Sequence, residues 1–277
     1  MNLAKEWRTF KAIFVRNIKL FMSYKAWVIA TIIWPIPLLA LNIYTYKALG
    51  TEAEISQALL GTYGIASMAG MVIIGTIVYL LYNRLLWGTG VSIQWERWMG
   101  TIESLFVTPA SRMTVLLASG MSSMVEGSWW IACIFVISWL MFGAQINLGN
   151  IGVFIVCLIS TIIALIAIGV FFAGFFVLTR AADQLATTLQ APIRFFSGVV
   201  YPVSALPVAF QYVSYIIPVT YGIQALRKVT LLGGGILTII SELLFLYVFA
   251  AAFFGAAYVA LRILERQAKK RGSLYTF

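Results

Sequence analysis

The residues best suited to chemistry lie in a polar stretch between two apolar runs, at positions 94–112. This stretch holds four of the chain's 19 basic and nine acidic residues: Glu96, Arg97, Glu103 and Arg112. Ile102, Leu105 and Phe106 recur at helical spacing, so they form an apolar patch on one side of a helix. Such a helix fits an apolar groove on another protein, with charged neighbours fixing its register. The pattern therefore predicts a docking helix at 94–109.

Other reactive groups are scarce in the sequence. There is no histidine, which excludes histidine-ligated metals and histidine acid–base catalysis. Cys133 and Cys157 lie within apolar runs and lack a metal-type spacing. No segment matches the Gly-x-x-x-x-Gly-Lys-Ser/Thr phosphate loop or a Ser/His/Asp set. The chain is therefore expected to carry no cofactor, no metal and no ATPase site of its own.

Three ionisable side chains fall inside apolar runs: Glu126, Arg194 and Glu242. An ion at this depth is costly against lipid, so each should face the helix bundle or water. For Glu126 and Arg194, two interpretations stay open: the residue lines a transport path, or a nearby partner neutralises it. A proton-coupled carrier usually contains more such residues. If the chain moves a substrate, the energy is expected to come from another subunit.

Composition places the chain in a membrane. Hydrophobic residues make up 62% and charged residues 10%, whereas charged residues are about a quarter of a soluble domain. Apolar runs of about 20 residues recur, and each can cross about 30 Å of hydrocarbon. The net charge of +10 arises from cations beside these runs, a pattern typical of membrane orientation. Nucleic-acid binding is therefore not expected.

Residues 1–277 are expected to form one all-α integral membrane domain with six transmembrane helices. The predicted spans are 26–46, 58–82, 113–142, 151–178, 184–203 and 236–261. Pro35 and Pro37 predict a kink within the first span. Ahead of it, residues 3–22 read as a helix with one apolar face and several cations. That helix either lies amphipathically in the headgroup region or only sets the orientation of the chain.

The segment 204–227 does not read as an ordinary span. Pro207 and Pro218 divide it into two pieces, each too short to cross the bilayer as a helix. A re-entrant hairpin between the fifth and sixth spans fits best, and it is tolerated where protein or a cavity surrounds it. Arg227, Lys228 and the glycines that follow are expected in an exposed loop.

The basic residues predict the orientation of the chain. With six spans and an inside N-terminus, fifteen Lys and Arg residues fall on the inner side and three on the outer side. This asymmetry agrees with the positive-inside rule. Both termini and the stretch at 94–112 are therefore expected in the cytoplasm, and the hairpin on the outer face of the cytoplasmic (inner) cell membrane.

Two motifs in the sequence resemble a known family. Glu96-Arg97-x-x-Gly100-Thr101-Ile102-Glu103-x-Leu105-x-x-Thr108-Pro109 is similar to the signature that follows the second span of type-2 ATP-binding-cassette permeases. Ser197-Gly198-x-x-x-Pro202-x-x-x-Leu206-Pro207, continuing to Pro218-x-Thr220-Tyr221 and Arg227, resembles that family's outer re-entrant region. Trp98 departs from the pattern, because many members have a second acidic residue there. The resemblance covers nearly the whole chain and is closest to the drug-resistance and nodulation-factor branch.

The resemblance implies a role for each motif. The first is a coupling helix that docks into a separate ATP-binding-cassette ATPase, which binds ATP and Mg²⁺. Its docking residues are Glu96, Arg97, Gly100, Thr101, Ile102, Glu103, Leu105, Phe106 and Pro109. The second is an outer gate whose residues are Pro202, Leu206, Pro207, Pro218 and Tyr221. A second copy of the chain, or a related permease, is expected to complete the path through the membrane.

These features predict the membrane subunit of an exporter for an amphipathic, lipid-like or drug-like substrate. The aromatic content, with 19 Phe, 13 Tyr and 9 Trp residues, favours such a cargo over a free ion. The nearest alternative is export of a polysaccharide or lipid-linked glycan. From other classes, a membrane-embedded enzyme would turn over a substrate without any ATPase, and a scaffold would couple to none.

Overall fold

The structure is a computed structural model that describes residues 3–65, 67–101, 108, 111–142, 150–177 and 182–271. Within these residues every regular element is a helix and no strand occurs. A helix satisfies its backbone polar groups internally, which hydrocarbon demands of any spanning segment. The prediction of an all-α protein is confirmed.

Five helical segments among the described residues are long and apolar enough to cross a membrane. They are Lys25–Lys47, Met68–Gly90, Arg112–Met141, Ile151–Phe176 and Ile240–Ile263. The shortest have 23 residues, roughly 35 Å at 1.5 Å per residue, whereas the hydrocarbon is about 30 Å thick. The chain is therefore an integral membrane protein, and five of the six predicted spans have a counterpart.

The first three helices are α1 (Leu3–Ser23), α2 (Lys25–Ile33) and α3 (Pro35–Lys47). The helix predicted at 3–22 is α1. The interruption predicted within the first span is present, because α3 starts at Pro35, a position where the missing N–H breaks no helical hydrogen bond. Trp34 keeps helical dihedral angles, so α2 and α3 follow each other without a loop.

The second span begins at Met68, and the start predicted at residue 58 is wrong. That part of the chain belongs to a separate short helix, α4 (Glu52–Tyr63), which also occupies part of the stretch between the first two predicted spans. Gly64 follows α4 with φ +69, a conformation that favours glycine and ends helices. Hydropathy alone does not mark this interruption, because the chain is apolar on both sides of it.

A capping box at the start of α4 offers a test of this helix. Glu54 N donates to Thr51 Oγ1 over 3.4 Å, and Thr51 N donates to Glu54 Oε2 over 2.9 Å. We expect Thr51→Ala to lower amide exchange protection in the first turn of α4 about fivefold. Hydrogen–deuterium exchange read by mass spectrometry measures this change.

The same cap predicts a pH dependence. Hydrogen bonds from the side chain and backbone of Thr51 hold the pKa of Glu54 below its ordinary value. A carboxyl whose pKa is lowered by folding stabilises the fold above its ordinary pKa. The amide exchange protection of α4, after correction for the pH dependence of the intrinsic exchange rate, should therefore be lost as the pH falls through the lowered pKa of Glu54. Protection that does not vary with pH in the parent chain would argue against the capping box.

The centre of the molecule is α5 (Met68–Leu85), which continues through a π-turn at Leu86–Gly90. Of the most apolar stretch in the corresponding spanning segment, Met68–Gly90, 89% is buried inside the protein. Three further helices pack around this region: α6 (Ser92–Trp98), α7 (Arg112–Phe142) and α8 (Ile151–Val177). Because protein covers α5 on most sides, polar groups on it contact other helices and not lipid.

The predicted fifth span at 184–203 corresponds to a shorter helix, α9 (Ala182–Phe196). Its 15 residues extend roughly 22 Å, which is less than the hydrocarbon thickness. Thr187 and Gln190 face a cavity on one side of it. The structure therefore does not confirm six full-length spans.

Two short helices follow, as the prolines predict, namely α10 (Val208–Ile216) and α11 (Pro218–Leu232). Their placement in the membrane as a re-entrant hairpin stays a prediction. Arg227 and Lys228 belong to α11, so the exposed loop expected at these residues is wrong. The last helix, α12 (Ile240–Arg271), starts four residues beyond the predicted 236, after a 3₁₀ turn.

Candidate functional site

The described part of the predicted docking helix is α6, which is shorter than expected. It ends at Trp98, and Gly100 takes φ +69, a conformation that costs glycine little. Thr101 N then donates to Glu96 O over 2.9 Å and closes the turn. The prediction of one uninterrupted helix over 94–109 is therefore wrong. The remaining docking residues lie outside the described residues and keep their role only as a prediction: Ile102, Glu103, Leu105, Phe106 and Pro109.

Glu96 points into the protein, although it was predicted to contact a partner. Only 6% of the residue is exposed. Its carboxylate forms an ion pair with Arg16 of α1 and accepts a 2.5 Å hydrogen bond from Thr101 Oγ1. A buried carboxylate needs such partners, because burying an unpaired charge is very costly. Glu96 thus fastens α6 to α1 and to the turn that follows.

α6 and the turn after it also carry exposed apolar side chains, two of which, Trp95 and Met99, line the cavity described below. Trp95 and Trp98 are about half exposed, and their rings meet edge to face with centroids 4.9 Å apart. Met99 beside them is also exposed. Arg97 Nη1 donates to Gln94 Oε1 over 2.9 Å. Aromatic, methionine and arginine side chains are enriched at protein interfaces, so the exposed side chains of this segment suit contact with a partner.

Helix α1 is held against the N-terminal half of α7. Thr114 Oγ1 donates to Glu6 Oε2 over 2.6 Å, and Asn17 Nδ2 donates to Ser122 Oγ over 3.0 Å. Ile13 packs in a small apolar cluster between these two bonds. Near the N-terminus of α1, some residues of the predicted apolar face are exposed, among them Leu3 and Trp7. α1 therefore has one side on protein and exposes apolar side chains elsewhere, and its position in the headgroup region stays a prediction.

Glu126 is paired inside the protein. It is 5% exposed and forms an ion pair with Arg84 at the end of α5. Of the two interpretations left open, neutralisation by a partner is the one that the geometry shows, although the pair also lines the cavity described below. In the sequence analysis, Arg84 was counted only among the basic residues of the inner side. Its pairing with Glu126 was not predicted, because no spacing rule links Arg84 to a residue on another helix.

Arg194 occupies a different place from Glu126. Its Nη2 donates to Asn42 Oδ1 of α3 over 2.8 Å, and its guanidinium lies 5.8 Å from the ring centroid of Tyr79 on α5. The two ionisable residues considered as possible pathway residues therefore have different partners on different helices. Arg194 ties α9 to α3 and α5.

A cavity of about 1030 Å³ lies between α1, α2, α5, α6, α7 and α9. The Glu126–Arg84 pair and the Arg16–Glu96 pair both contribute to its wall. Five tryptophans are among its lining residues: Trp27, Trp34, Trp87, Trp95 and Trp130. Sequence patterns gave no signal for this cavity, because its wall is assembled from distant parts of the chain.

The predicted gate residues lie on α11 and on the segment between α9 and α10. Pro218 begins α11 and is buried, and Tyr221 donates from its hydroxyl to Tyr215 O over 2.9 Å. Gln211 Nε2 of α10 donates to Leu206 O over 2.8 Å. Pro202 is buried beside Leu206, whereas Pro207 is exposed. These contacts connect α9, α10 and α11 into a cap, and its role as a gate stays a prediction.

Arg227 anchors this cap, although it was expected in a loop. It is 8% exposed, and its Nη2 donates to Met71 O over 2.8 Å and to Val199 O over 3.1 Å. Next to it, Lys228 Nζ pairs with Glu242 Oε1 over 2.6 Å. Glu242 is therefore held at the start of α12 by a neighbouring helix. The positions of prolines and glycines, from which a loop was predicted here, do not indicate these contacts.

Comparison with known proteins places these features in one family. A family model described as ABC-2 type transporter matches residues 8–231, which is most of the chain. The match includes α6, the cavity-lining ion pairs and the cap anchored by Arg227.

Two curated proteins are similar to the chain. The "Probable multidrug ABC transporter permease YbhS" of Escherichia coli (strain K12) is 25% identical over 190 residues, covering 66% of this chain and 48% of that protein. The protein of the same name from Escherichia coli O157:H7 matches with the same identity and coverage. The chain spans about half the length of the curated relatives it matches. By the extent of the family match, the chain belongs to the ABC-2 type transporter family, as a membrane permease component.

Proposed function

We propose that this chain is the membrane subunit of an ATP-driven exporter of amphipathic, lipid-like or drug-like compounds. The observation that carries the proposal is the family match over residues 8–231, which includes α6, the cavity and the cap. A relative bearing the name of a multidrug permease supports a drug-like or lipid-like cargo. A separate ATPase subunit, which binds ATP and Mg²⁺, supplies the energy.

Helix α6 is well placed to transmit movement of an ATPase into the membrane. Its exposed side presents Trp98 for docking, and its buried side holds Glu96 against Arg16 of α1. The π-turn joins α6 directly to α5, the buried centre of the molecule. Closure of two ATPase subunits would therefore move α1 and α5 together with α6. Rigid-body rocking of this kind produces alternating access.

The proposed topology has six crossings and both termini in the cytoplasm. Five candidate spans support it, and α9 with the residues that follow it would make a short fifth crossing. The excess of basic residues on one side supports the orientation. In this arrangement α10 and α11 form the re-entrant outer gate, and a second copy of the chain or a related permease faces the first across the path.

A charge reversal in the docking segment tests the ATPase contact. Glu103→Arg is expected to weaken capture of the partner ATPase about tenfold, because it places a cation where the family pattern has an anion. Pull-down of the ATPase from co-expressing membranes gives the readout, and the amount of permease in the membrane fraction checks insertion. Glu52→Arg, the same reversal on α4 and on the predicted outer side, is the control. Unchanged capture by Glu103→Arg would count against the docking role.

Reconstitution tests the function as a whole. The chain and its partner ATPase are placed in liposomes, and ATP hydrolysis is measured with panels of amphipathic drugs, lipids and polysaccharides. Stimulation by amphipathic compounds is expected. Stimulation by polysaccharides alone would support glycan export, and substrate turnover by the permease without any ATPase would overturn the proposal.

A further inference from the structure

A smaller pocket lies in the cap, between the end of α4, the segment after α9, and helices α10, α11 and α12. Its volume is about 260 Å³, slightly below the range of sites for drug-sized ligands, roughly 300–1,000 Å³. The pocket therefore has room for a small polar molecule or for the headgroup of a lipid. Its lining includes both basic residues of α11, Arg227 and Lys228, and Glu242 near the start of α12.

The charges on the described wall of this pocket leave one cation uncompensated. Lys228 Nζ pairs with Glu242 Oε1 over 2.6 Å, so these two charges cancel. Arg227 takes part in none of the ion pairs that the described residues form, although it is buried. A buried charge without a counterion is costly. A ligand with one negative charge would remove that cost.

The guanidinium of Arg227 also has hydrogen-bond donors to spare. Its Nε and Nη2 donate to Met71 O, and Nη2 also donates to Val199 O. Nη1 forms no hydrogen bond with the described residues, and it is not one of their polar atoms that are closed off from solvent without a partner. Because Arg227 lines the pocket, the two N–H groups of Nη1 are available to a ligand there. A guanidinium binds the oxygen atoms of a phosphate or a carboxylate especially well.

Further donors line the same pocket. Tyr63, Ser204 and Tyr215 contribute hydroxyl groups, and Gln224 contributes an amide. All four residues are at least partly exposed, so a ligand in the pocket can reach them. Hydroxyl and amide groups donate hydrogen bonds to anionic oxygens. An oxyanion bound to Arg227 can therefore accept additional hydrogen bonds from this wall.

We propose that this pocket binds an oxyanion with a single negative charge, such as a phosphodiester, through Nη1 of Arg227. The headgroup of an anionic lipid and a small soluble anion would both supply such a group. Leu232 at the pocket is exposed, as are Val208 and Ile216 of the adjacent helix α10, so acyl chains would meet apolar side chains beside it. The site goes beyond the proposed export function. It forms in the permease alone, and its test requires neither an ATPase nor transport.

Binding to the detergent-purified full chain tests the proposal with two matched pairs of probes. Dioleoylphosphatidylglycerol is compared with dioleoylglycerol, and water-soluble glycerophosphoglycerol is compared with glycerol, by thermophoretic titration. In each pair only the first compound carries the phosphodiester. The charged member of at least one pair is expected to bind about tenfold more tightly, since a hydrogen bond to a charged group separates the two. Preference in both pairs indicates that a soluble anion suffices, and preference in the lipid pair alone identifies a lipid headgroup. Equal affinities within both pairs would overturn the proposal.

Matched variants locate the bound anion. Ser204 and Ala205 are adjacent exposed residues between α9 and α10, but only Ser204 is among the residues that line the pocket. Ser204→Trp should fill the pocket and weaken binding of phosphatidylglycerol about tenfold, whereas Ala205→Trp should leave it unchanged. If both variants bind this lipid with the same affinity, the lipid lies elsewhere and the proposal fails.

A charge variant gives a readout in the opposite direction. Glu242→Gln removes the carboxylate that neutralises Lys228, so the described wall gains a second uncompensated cation. Electrostatic complementarity then predicts about threefold tighter binding of phosphatidylglycerol. Glu52→Gln removes a carboxylate from α4 outside the pocket and should change nothing. Damage to the fold would not tighten binding, so unchanged affinity in Glu242→Gln would contradict the assignment of the anion to this pocket.

Discussion

Gly75→Ala is expected to lower the melting temperature of the detergent-solubilised protein by about 5–10 °C, because it over-packs the core. A Cβ at position 75 would lie 1.9 Å from Val199 O and 2.9 Å from Arg227 Nη2. The nearer obstacle is backbone, so no side-chain rotation relieves it. α5 and the chain after α9 must move apart, which would break the bond from Arg227 to Val199 O. A buried guanidinium with fewer partners adds to the loss.

Gly255→Ala is the matched control for this substitution. Gly255 lies within α12, and a Cβ there would meet nothing within 4 Å. Because alanine favours a helix over glycine by up to about 1 kcal/mol, the control should melt at the parent temperature or slightly above it. Thermal melting followed by tryptophan fluorescence compares the two. Equal melting temperatures would show that α5 and the Val199 backbone do not meet closely at Gly75.

Removing one member of the Arg84–Glu126 pair is expected to destabilise the protein by about 3–5 kcal/mol, and removing both members should cost less. Arg84→Met leaves the Glu126 carboxylate buried without its cation, and Glu126→Leu leaves the guanidinium without its anion. The double variant leaves neither charge. The four proteins form a double-mutant cycle whose coupling energy measures the pair directly.

The Lys47–Glu52 pair is the control for this cycle. Its atoms are 3.7 Å apart and both side chains are about 40% exposed, so its coupling should fall below about 1 kcal/mol. Unfolding free energies in mixed micelles give both values. If single and double variants of Arg84 and Glu126 lose the same small amount, the pair is not a buried structural contact. A loss of transport with unchanged stability would instead assign Glu126 to the pathway.

The type and order of the helices could be predicted because they depend on local properties. Apolar length predicts where a chain can span a membrane, and five such segments occur in the part of the chain that the structure describes. Pro35 and Pro218 begin helices because proline has no N–H and a fixed φ. Boundaries were less predictable where the break depends on one residue in an apolar run. Gly64 is such a case, since its positive φ ends α4 while the hydropathy stays high.

The candidate site could be predicted only in part. Its position along the chain follows from the charged motif at 94–112 and agrees with the family match. The motif did not reveal that Glu96 faces Arg16, because the two residues are 80 positions apart and belong to different helices. Glu126 and Arg194 were grouped because both are ions in apolar runs, yet each has its own partner on another helix.

The sequence by itself determined that this is an all-helical membrane protein of a permease family, with a charged motif between the second and third spans. Those properties depend on apolar length, helix-breaking residues and a contiguous motif, all of which are readable along the chain. Only the tertiary structure decided which charges are paired, that Arg227 anchors the cap, and that six helices line a cavity with several tryptophans. Such contacts join residues far apart in sequence, and no local pattern records the packing that brings them together.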